Sequence, residues 1–416
     1  MLLKLRKSSL INDSQINITG SKSESNRLLI LQALLHGIEL ENISNADDVQ
    51  LMMKALASDS KEVDIHHAGT AMRFLSSYFA SSPGRNVILT GSTRMKQRPI
   101  GILVDALRSM GAEIEYVENE GFPPLKINGK QLKSNHVKLK AGISSQYITS
   151  FMLIGCRIPG GLKIELEGDL TSVPYIRMTE KLLNQVGATC SFQNKTIKVA
   201  EYSKNTEKKL ITVESDWSSA SYYYSLVALS AVGTSVSISS YKEDSLQGDS
   251  ALKELYPEFG VSSEFIGNKL ILKKNYNPEI KSLHFDLINT PDIAQTIAVT
   301  CLGLGLDCHL TGLHTLKIKE TDRLMALKTE IEKFGGKVII TDESLTLESP
   351  GKLKSDCTVN TYNDHRMAMA FAPLALVTDL LIADADVVSK SYPDFWKDWS
   401  ALGIEISDFQ NNTPNT

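Results

Sequence analysis

Cysteine is scarce in this chain, and its spacing is irregular. Five cysteines (Cys156, Cys190, Cys301, Cys308, Cys357) stand among 416 residues with no CxxC. That argues against a disulfide framework or a zinc site and fits a reduced compartment. No apolar run approaches the roughly 20 residues that span a bilayer. The opening MLLKLRKSSL lacks the apolar core of a secretory leader, so a cytoplasmic protein is expected. Positive charge is not in excess: 44 Lys and Arg against 48 Asp and Glu give a net charge of −4. A general nucleic-acid binder would show a basic face, although a local basic cleft is still allowed. Neither GxGxxG nor a GxxxxGK loop followed by Ser or Thr occurs, so the usual nucleotide-phosphate loops are absent.

What is present is a globular composition, 42% hydrophobic and 22% charged, in a chain long enough for two or three domains. The closing DFQNNTPNT is polar and expected to be disordered. Between the ends runs a long repeat. Apolar helices are expected to open near Ser23, Gly69, Ser144, Trp217, Pro291 and Asp364. From residue 69 onward each opening follows the last by 73 to 75 residues, whereas the first interval is only 46. A fixed long period means one supersecondary unit used repeatedly. The short first interval implies that the first unit has lost a loop or hairpin.

Each unit pairs two kinds of helix. The first is apolar almost all round, as in RLLILQALL, AMRFLSSYFA and SASYYYSLVALS, and belongs inside a domain. The second is amphipathic, as in 319–334, where Leu324, Leu327, Ile331 and Phe334 recur at helical spacing. Second helices end at a glycine followed by a strand: MGAEIEY, VGATCSF, FGVSSEF, FGGKVII, LGIEI. Glycine in that place is the usual left-handed cap. Short β-rich segments such as NVILTG, LKIELEG and SVSISS complete a unit of two helices and about four strands. Six units suggest two three-fold α/β domains. Pro373, inside the sixth apolar helix, is expected to kink it or move its boundary.

Polar residues gather at the helix starts, where unpaired N–H groups favour anions. GSKSESNR (20–27) offers Lys22, Ser23 and Arg27, though an ordinary capped helix reads the same way. STRMKQRP (92–99) places Arg98 directly before Pro99, expected at the first helical position. Ser144, Ser145 and Gln146 read as a plain cap, and Ser172 and Tyr175 carry weight only from their place in the repeat. KETDRL (319–324) puts Lys319, Glu320 and Arg323 on one expected helical turn. Lys319 and Arg323 are then like charges four apart, unfavourable without an anion between them; a salt-bridged surface with Glu320 and Asp322 is the competing reading. Asp364, His365 and Arg366 precede an apolar helix, and arginine's planar fork suits carboxylate or phosphate. Asp292 serves equally as a dipole-satisfying acid or as a general base. Lys390 is a lone lysine before another Pro-marked helix start.

Taken in order, GSKSESNR, AGTAMR, RMKQRPI, SSQ, PDIAQT, KETDR and YNDHRMAM resemble the enolpyruvyl transferases, specifically the 5-enolpyruvylshikimate-3-phosphate synthase family, over nearly the whole chain. The resemblance implies a two-domain inside-out α/β barrel of six βαβαββ-type units, three per domain. It implies one lobe of residues 1–19 plus 215–416 and another of 20–214, with the active site in a cleft that closes on substrate. The implied reaction joins the enolpyruvyl group of phosphoenolpyruvate to the 5-hydroxyl of shikimate 3-phosphate and releases phosphate through a tetrahedral intermediate. On that likeness Lys22, Ser23, Arg27, Ser144, Ser145, Gln146, Ser172, Tyr175, Asp292, Thr315 and Lys319 hold shikimate 3-phosphate. Lys22, Gly69, Arg98, Gln146, Arg323, Arg366 and Lys390 hold phosphoenolpyruvate. Asp292 takes the hydroxyl proton, and Glu320, with Lys22, protonates the methylene carbon. No metal or organic cofactor is implied. The expected partners are the two small substrates alone, with no nucleic acid or membrane, for a monomeric protein.

Three positions depart from the family pattern. His67 stands where Asn is common before Ala-Gly, Phe74 where Pro is common, and Thr315 where Asn is common. Gly69 is kept, so inhibition by the phosphoenolpyruvate-site analogue glyphosate is expected. The sister family acting on UDP-N-acetylglucosamine uses a cysteine in the loop before the Arg-Pro pair. Ser92–Gln97 contains none. A non-catalytic anion-binding relative would have no need of the Asp292 and Glu320 acid–base pair.

Overall fold

In the computed structural model, which describes residues 1–140, 144–168, 173–203 and 208–409, one rule orders nearly every sheet. Two parallel strands flank an apolar helix, and an antiparallel hairpin is added beyond the second of them. In the first full unit, strand Glu62–Asp64 lies parallel to Asn86–Thr90, and Leu125–Asn128 then Glu113–Tyr116 follow antiparallel. Five sheets among the described residues have four strands, a parallel pair and two antiparallel ones, though in one of them the antiparallel strands are Leu3–Leu5 and Ile406–Asp408, from opposite ends of the chain. The sixth holds only the parallel pair Ile38–Glu41 and Lys209–Thr212. The missing hairpin accounts for the short first repeat interval.

The chain divides into two compact units, Thr19–Glu214 and Met1–Ile18 with Ser215–Thr416. In the first, the helices are α1 (Lys22–Leu34), α2 (Asp47–Ala57), α3 (Gly69–Ala80), α4 (Gly101–Ser109), α5 (Ser145–Gly155) and α6 (Val173–Val186). The apolar α1, α3 and α5 pack on one another, while α2, α4 and α6 each keep an exposed polar face. In the second unit the helices are α7 (Trp217–Ala228), α8 (Leu252–Leu255), α9 (Ala294–Leu304), α10 (Arg323–Lys333), α11 (His365–Phe371) and α12 (Phe395–Ala401). There α9 packs against both α7 and α11. At each passage between units a strand joins the sheet of a distant repeat. Ser14–Ile16 pairs with Ser235–Ser239, and Lys209–Thr212 with Ile38–Glu41. Strand Leu3–Leu5 sits between Leu380–Ile382 and Ile406–Asp408.

Local chemistry behaves as read. Gly111, Gly187, Gly260, Gly335 and Gly403 all take positive φ after the outer helices, a conformation that costs a side chain about 1 kcal/mol or more. Pro373 ends α11 at Phe371 and begins a 3-10 turn, Ala372–Leu376. Other expectations need correction. The tail is not wholly irregular, since Asp408 pairs with Leu3; residues 410–416 lie outside the described residues. Pro99 does not open a helix. Helix α4 starts at Gly101 with Ile100 as its cap residue, and the carbonyl of Pro99 accepts a hydrogen bond from the Tyr147 hydroxyl at 2.8 Å. Lys319 and Glu320 are not on a helical turn with Arg323. Helix α10 starts at Arg323, capped by the Asp322 carboxylate, while Lys319 ends a separate 3-10 turn, His314–Ile318. No helix among the described residues is long and apolar enough to cross a membrane.

Candidate active site

The inner helices place polar groups at their first turns and bury them. In the 215–416 unit this converges on Arg323, whose side chain is 2% exposed. Its Nε donates to Asp364 Oδ2 at 2.7 Å, its Nη1 to Asp292 Oδ1 at 2.9 Å, and its Nη2 to Glu320 Oε2 at 2.8 Å. Carboxylates from three separate stretches of the chain, at residues 292, 320 and 364, are thereby tied to one planar cation, an arrangement that arginine's fork permits and lysine's point charge does not. Burial opposes the guanidinium's charge, but Asp364, Glu320 and Asp292 more than offset it and raise its pKa.

Asp292 sits among three cations. Besides Arg323, Lys319 Nζ lies 3.4 Å from Oδ1, and Arg366 Nη2 lies 3.5 Å from Oδ2. Burial alone would raise this carboxyl's pKa; Lys319, Arg366 and Arg323 outweigh it and hold the group well below the usual range. Asp364 is fully buried and doubly used. It binds Arg323 and also caps α11, its Oδ1 accepting from the Arg366 amide at 2.9 Å. Lys390 Nζ donates to the Asn363 carbonyl at 2.6 Å. Thr315 Oγ1 is buried with no hydrogen-bond partner among the described residues.

In the 19–214 unit, Lys22 opens α1 with its Nζ 3.6 Å from Asp48 Oδ2, while His67 Nε2 lies 3.6 Å from Asp48 Oδ1. At the start of α3, Arg73 Nη1 folds back onto the Gly69 carbonyl at 2.7 Å. A Cβ placed on Gly69 would meet Arg98 Nη1 at 2.5 Å and Arg73 Nη1 at 2.8 Å. Two guanidinium groups thus converge on a point only glycine leaves open, a geometry suited to an anion. Ser144 caps α5, and Gln146 Nε2 reaches Thr70 Oγ1 at 3.2 Å. Ser145 is buried at the same turn. Arg27 is held inside. It donates to Thr179 Oγ1 at 2.9 Å, the Ser23 carbonyl at 2.8 Å and Thr149 Oγ1 at 3.4 Å, with Tyr175's ring 5.8 Å away. Burial pulls its pKa down to about 10, against Tyr175 and Glu24. Ser172 lies outside the described residues.

The structure therefore draws Asp292, Lys319, Glu320, Arg323 and Arg366 into one bonded cluster, with Lys390 linked to it through Asn363. Lys22, Gly69, Arg98, Gln146 and the Ser144–Ser145 cap belong to the other unit. Sequence reasoning named Asp364 but not its pairing with Arg323, and it missed Asp48 for Lys22 and Asp249 behind Arg366. Arg366 Nη2 donates to Ser218 Oγ at 3.2 Å, and Ser218 Oγ in turn binds Asp249 Oδ2. Burial and the nearby charge of Asp292 push Asp249 up to about 6, against the pull of Arg366 and Ser218.

That shift has a testable sign. The folded protein binds the Asp249 proton more tightly than the unfolded chain, whose carboxyl ionises near pH 4. Ionised Asp249 therefore lowers stability, and the loss accumulates from about pH 4 to 6 and stays constant above. Asp249→Asn is expected to be more stable than the parent at pH 7.5 by on the order of 1–3 kcal/mol. Denaturant titrations should show the gap closing at pH 4; an equal gap at both values contradicts the shift.

Relatives fit this geometry. The EPSP synthase from Acinetobacter baumannii superposes with a TM-score of 0.81 at 20% identity, over 98% of this chain and all of that one. The enolpyruvyl transferase NikO from Streptomyces tendae superposes at 0.76 and 13% identity, over 98% of each chain. The fold is that of the enolpyruvyl transferases. The profile of EPSP synthase (3-phosphoshikimate 1-carboxyvinyltransferase) matches residues 56–399. The 3-phosphoshikimate 1-carboxyvinyltransferase of Bacteroides fragilis strain YCH46 is 44% identical over 398 residues, 94% of this chain and 95% of its own. That of Photobacterium profundum is 36% identical over 425 residues, 95% of this chain and 97% of its own. The chain belongs to the EPSP synthase family.

Proposed function

We infer that these clusters serve one reaction. The enzyme transfers the enolpyruvyl group of phosphoenolpyruvate to the 5-hydroxyl of shikimate 3-phosphate and releases phosphate, a step of aromatic amino-acid biosynthesis. Lys22, Gly69, Arg98, Gln146, Arg323, Arg366 and Lys390 hold phosphoenolpyruvate. Ser23, Arg27, Ser144, Ser145, Gln146, Ser172, Tyr175, Thr315 and Lys319, with Lys22 and Asp292, hold shikimate 3-phosphate. The observation that carries this division is Asp292 ringed by Lys319, Arg323 and Arg366.

A carboxylate held so acidic is a weak base. Anionic substrates change that. As phosphate and carboxylate oxygens engage Lys319 and Arg366, those cations turn from Asp292, whose proton affinity rises at the moment the 5-hydroxyl arrives. Deprotonation accompanies attack of that hydroxyl on C2 of phosphoenolpyruvate, while Glu320 or Lys22 delivers a proton to C3. Loss of a C3 proton with departure of phosphate then restores the double bond. Fixed cations stabilise the charge that develops at each step. We assign the enzyme to the cytoplasm, in line with its five unpaired cysteines, and take it to act as a monomer.

Phosphate release from shikimate 3-phosphate plus phosphoenolpyruvate, with none from a UDP-N-acetylglucosamine acceptor, tests the reading; the reverse preference sinks it. The absence of cysteine in Ser92–Gln97 disfavours the UDP-sugar reaction. The Gly69 geometry adds a finer test. Gly69→Ala places a methyl group against the Arg98 and Arg73 guanidinium ends, which must shift by a few tenths of an ångström or more. KM for phosphoenolpyruvate should rise about tenfold, a loss near 1.4 kcal/mol, and glyphosate inhibition should weaken in parallel. Unchanged values for both would show that this point is not part of the site.

A further inference from the structure

Asp364 and Asn363 follow a turn with an unusual backbone. Tyr362 and Asn363 take φ of 54° and 56° in succession. Neither is glycine, and consecutive left-handed residues of this kind persist only where their surroundings hold them. The turn's outputs all point at the cluster already described. The Asn363 carbonyl receives Lys390 Nζ at 2.6 Å. Asp364 holds Arg323 Nε at 2.7 Å and the Arg366 amide at 2.9 Å. Three cations assigned above to phosphoenolpyruvate thus depend on the path of one short backbone segment.

What holds that path is a carboxylate that the mechanism does not use. Glu330 lies on α10, seven residues after Arg323, and is fully buried. Its Oε1 accepts from the Tyr362 hydroxyl at 2.6 Å, and its Oε2 accepts from the Asn360 amide at 3.1 Å. Lys333 Nζ neutralises it at 2.6 Å and also binds the Thr358 carbonyl at 2.8 Å. A buried carboxylate this well satisfied grips its donors strongly, because hydrogen bonds to an ionised acceptor are roughly twice as strong as neutral ones. The grip falls on both sides of Thr361, directly before the left-handed pair.

We propose that Glu330 is a positioning residue for phosphoenolpyruvate binding: through Tyr362 and Asn360 it fixes the turn that aims Arg323, Arg366 and Lys390. It touches no substrate. The inference rests on the assignment of those cations to phosphoenolpyruvate, and the test separates the two.

Three variants are measured by phosphate release well below their unfolding midpoints: Glu330→Gln, Tyr362→Phe and Lys390→Ala. Glu330→Gln is expected to raise KM for phosphoenolpyruvate at least tenfold, and Tyr362→Phe three- to fivefold. KM for shikimate 3-phosphate should stay within twofold of the parent in both. A merely structural role lowers the unfolding midpoint and the active fraction but leaves KM alone. If Lys390→Ala raises KM for phosphoenolpyruvate and neither of the other two does, the brace is overturned and the site stands. Should Glu330→Gln fail to fold, Tyr362→Phe, which deletes one hydroxyl from a half-exposed ring, decides the matter alone. Lys390→Ala with an unchanged KM overturns the assignment of that cation alone, and Glu330→Gln with Tyr362→Phe then decides the brace through Arg323 and Arg366.

Discussion

Asp292→Ala is expected to lower turnover by about 10²–10⁴-fold, the usual cost of losing a positioned general base. The effect should fall on kcat. Asp292 is the shared counter-ion of Lys319, Arg323 and Arg366, so its removal leaves three cations with one anion fewer and more free to take substrate oxygens. KM for phosphoenolpyruvate is therefore expected to hold or to fall. A group that served only to hold the cations in place would behave in the opposite way, with KM rising and kcat largely kept. Steady-state phosphate release over both substrate concentrations separates the two. Turnover equal to the parent's removes Asp292 from the chemistry.

Arg323→Met is expected to cost about 3–5 kcal/mol of stability, the range for breaking a buried ion pair from one side. The reason lies in what stays behind. Asp364 is fully buried, and without Arg323 its carboxylate keeps only the Arg366 amide and the His365 ring, whose Nδ1 lies 3.8 Å away. Glu320 and Asp292 lose a partner at the same time, though both reach more solvent. For a unit of about 200 residues this corresponds to a fall in Tm of roughly 10 °C. Arg323→Lys should recover little of it, since one ammonium cannot serve three carboxylates along a planar fork. The double variant Arg323→Met with Asp364→Asn should recover a substantial part, because the stranded charge is gone. If the double variant is no more stable than the single one, the loss comes from packing and not from the orphaned carboxylate.

Much of this was readable from the sequence, for reasons that differ by residue. Gly111, Gly187, Gly260, Gly335 and Gly403 follow amphipathic helices, and their left-handed caps are a local consequence of having no Cβ. Pro373 cannot donate to an α-helical ladder, so the end of α11 was visible too. The lost hairpin followed from counting residues between two helix starts. Lys319 misled because a charged segment running into an amphipathic pattern looks like its first turn. The Asp322 side chain, three residues before Met325, marks the true start by capping it. Arg98–Pro99 misled similarly, since a proline before an apolar run resembles a first helical residue whether or not the helix begins there.

The partner anions were beyond that kind of reading. Asp48, Asp249 and Glu330 pair with groups 26, 31 and 32 residues away. Nothing in the residues around them differs from ordinary solvated acids. Only the closure of the three-fold unit puts them beside Lys22, Ser218 and Tyr362. The candidate cations could be named by motif; the anions that face them are set by tertiary contact.

The central claim is that the positive groups named above hold phosphoenolpyruvate and shikimate 3-phosphate. A crystal structure of the enzyme with both ligands bound tests it most directly. The account predicts phosphoenolpyruvate oxygens within hydrogen-bonding distance of Lys22, Arg98, Arg323, Arg366 and Lys390, and the 5-hydroxyl of shikimate 3-phosphate against Asp292. Ligands bound elsewhere, with those side chains turned to bulk solvent, would contradict it.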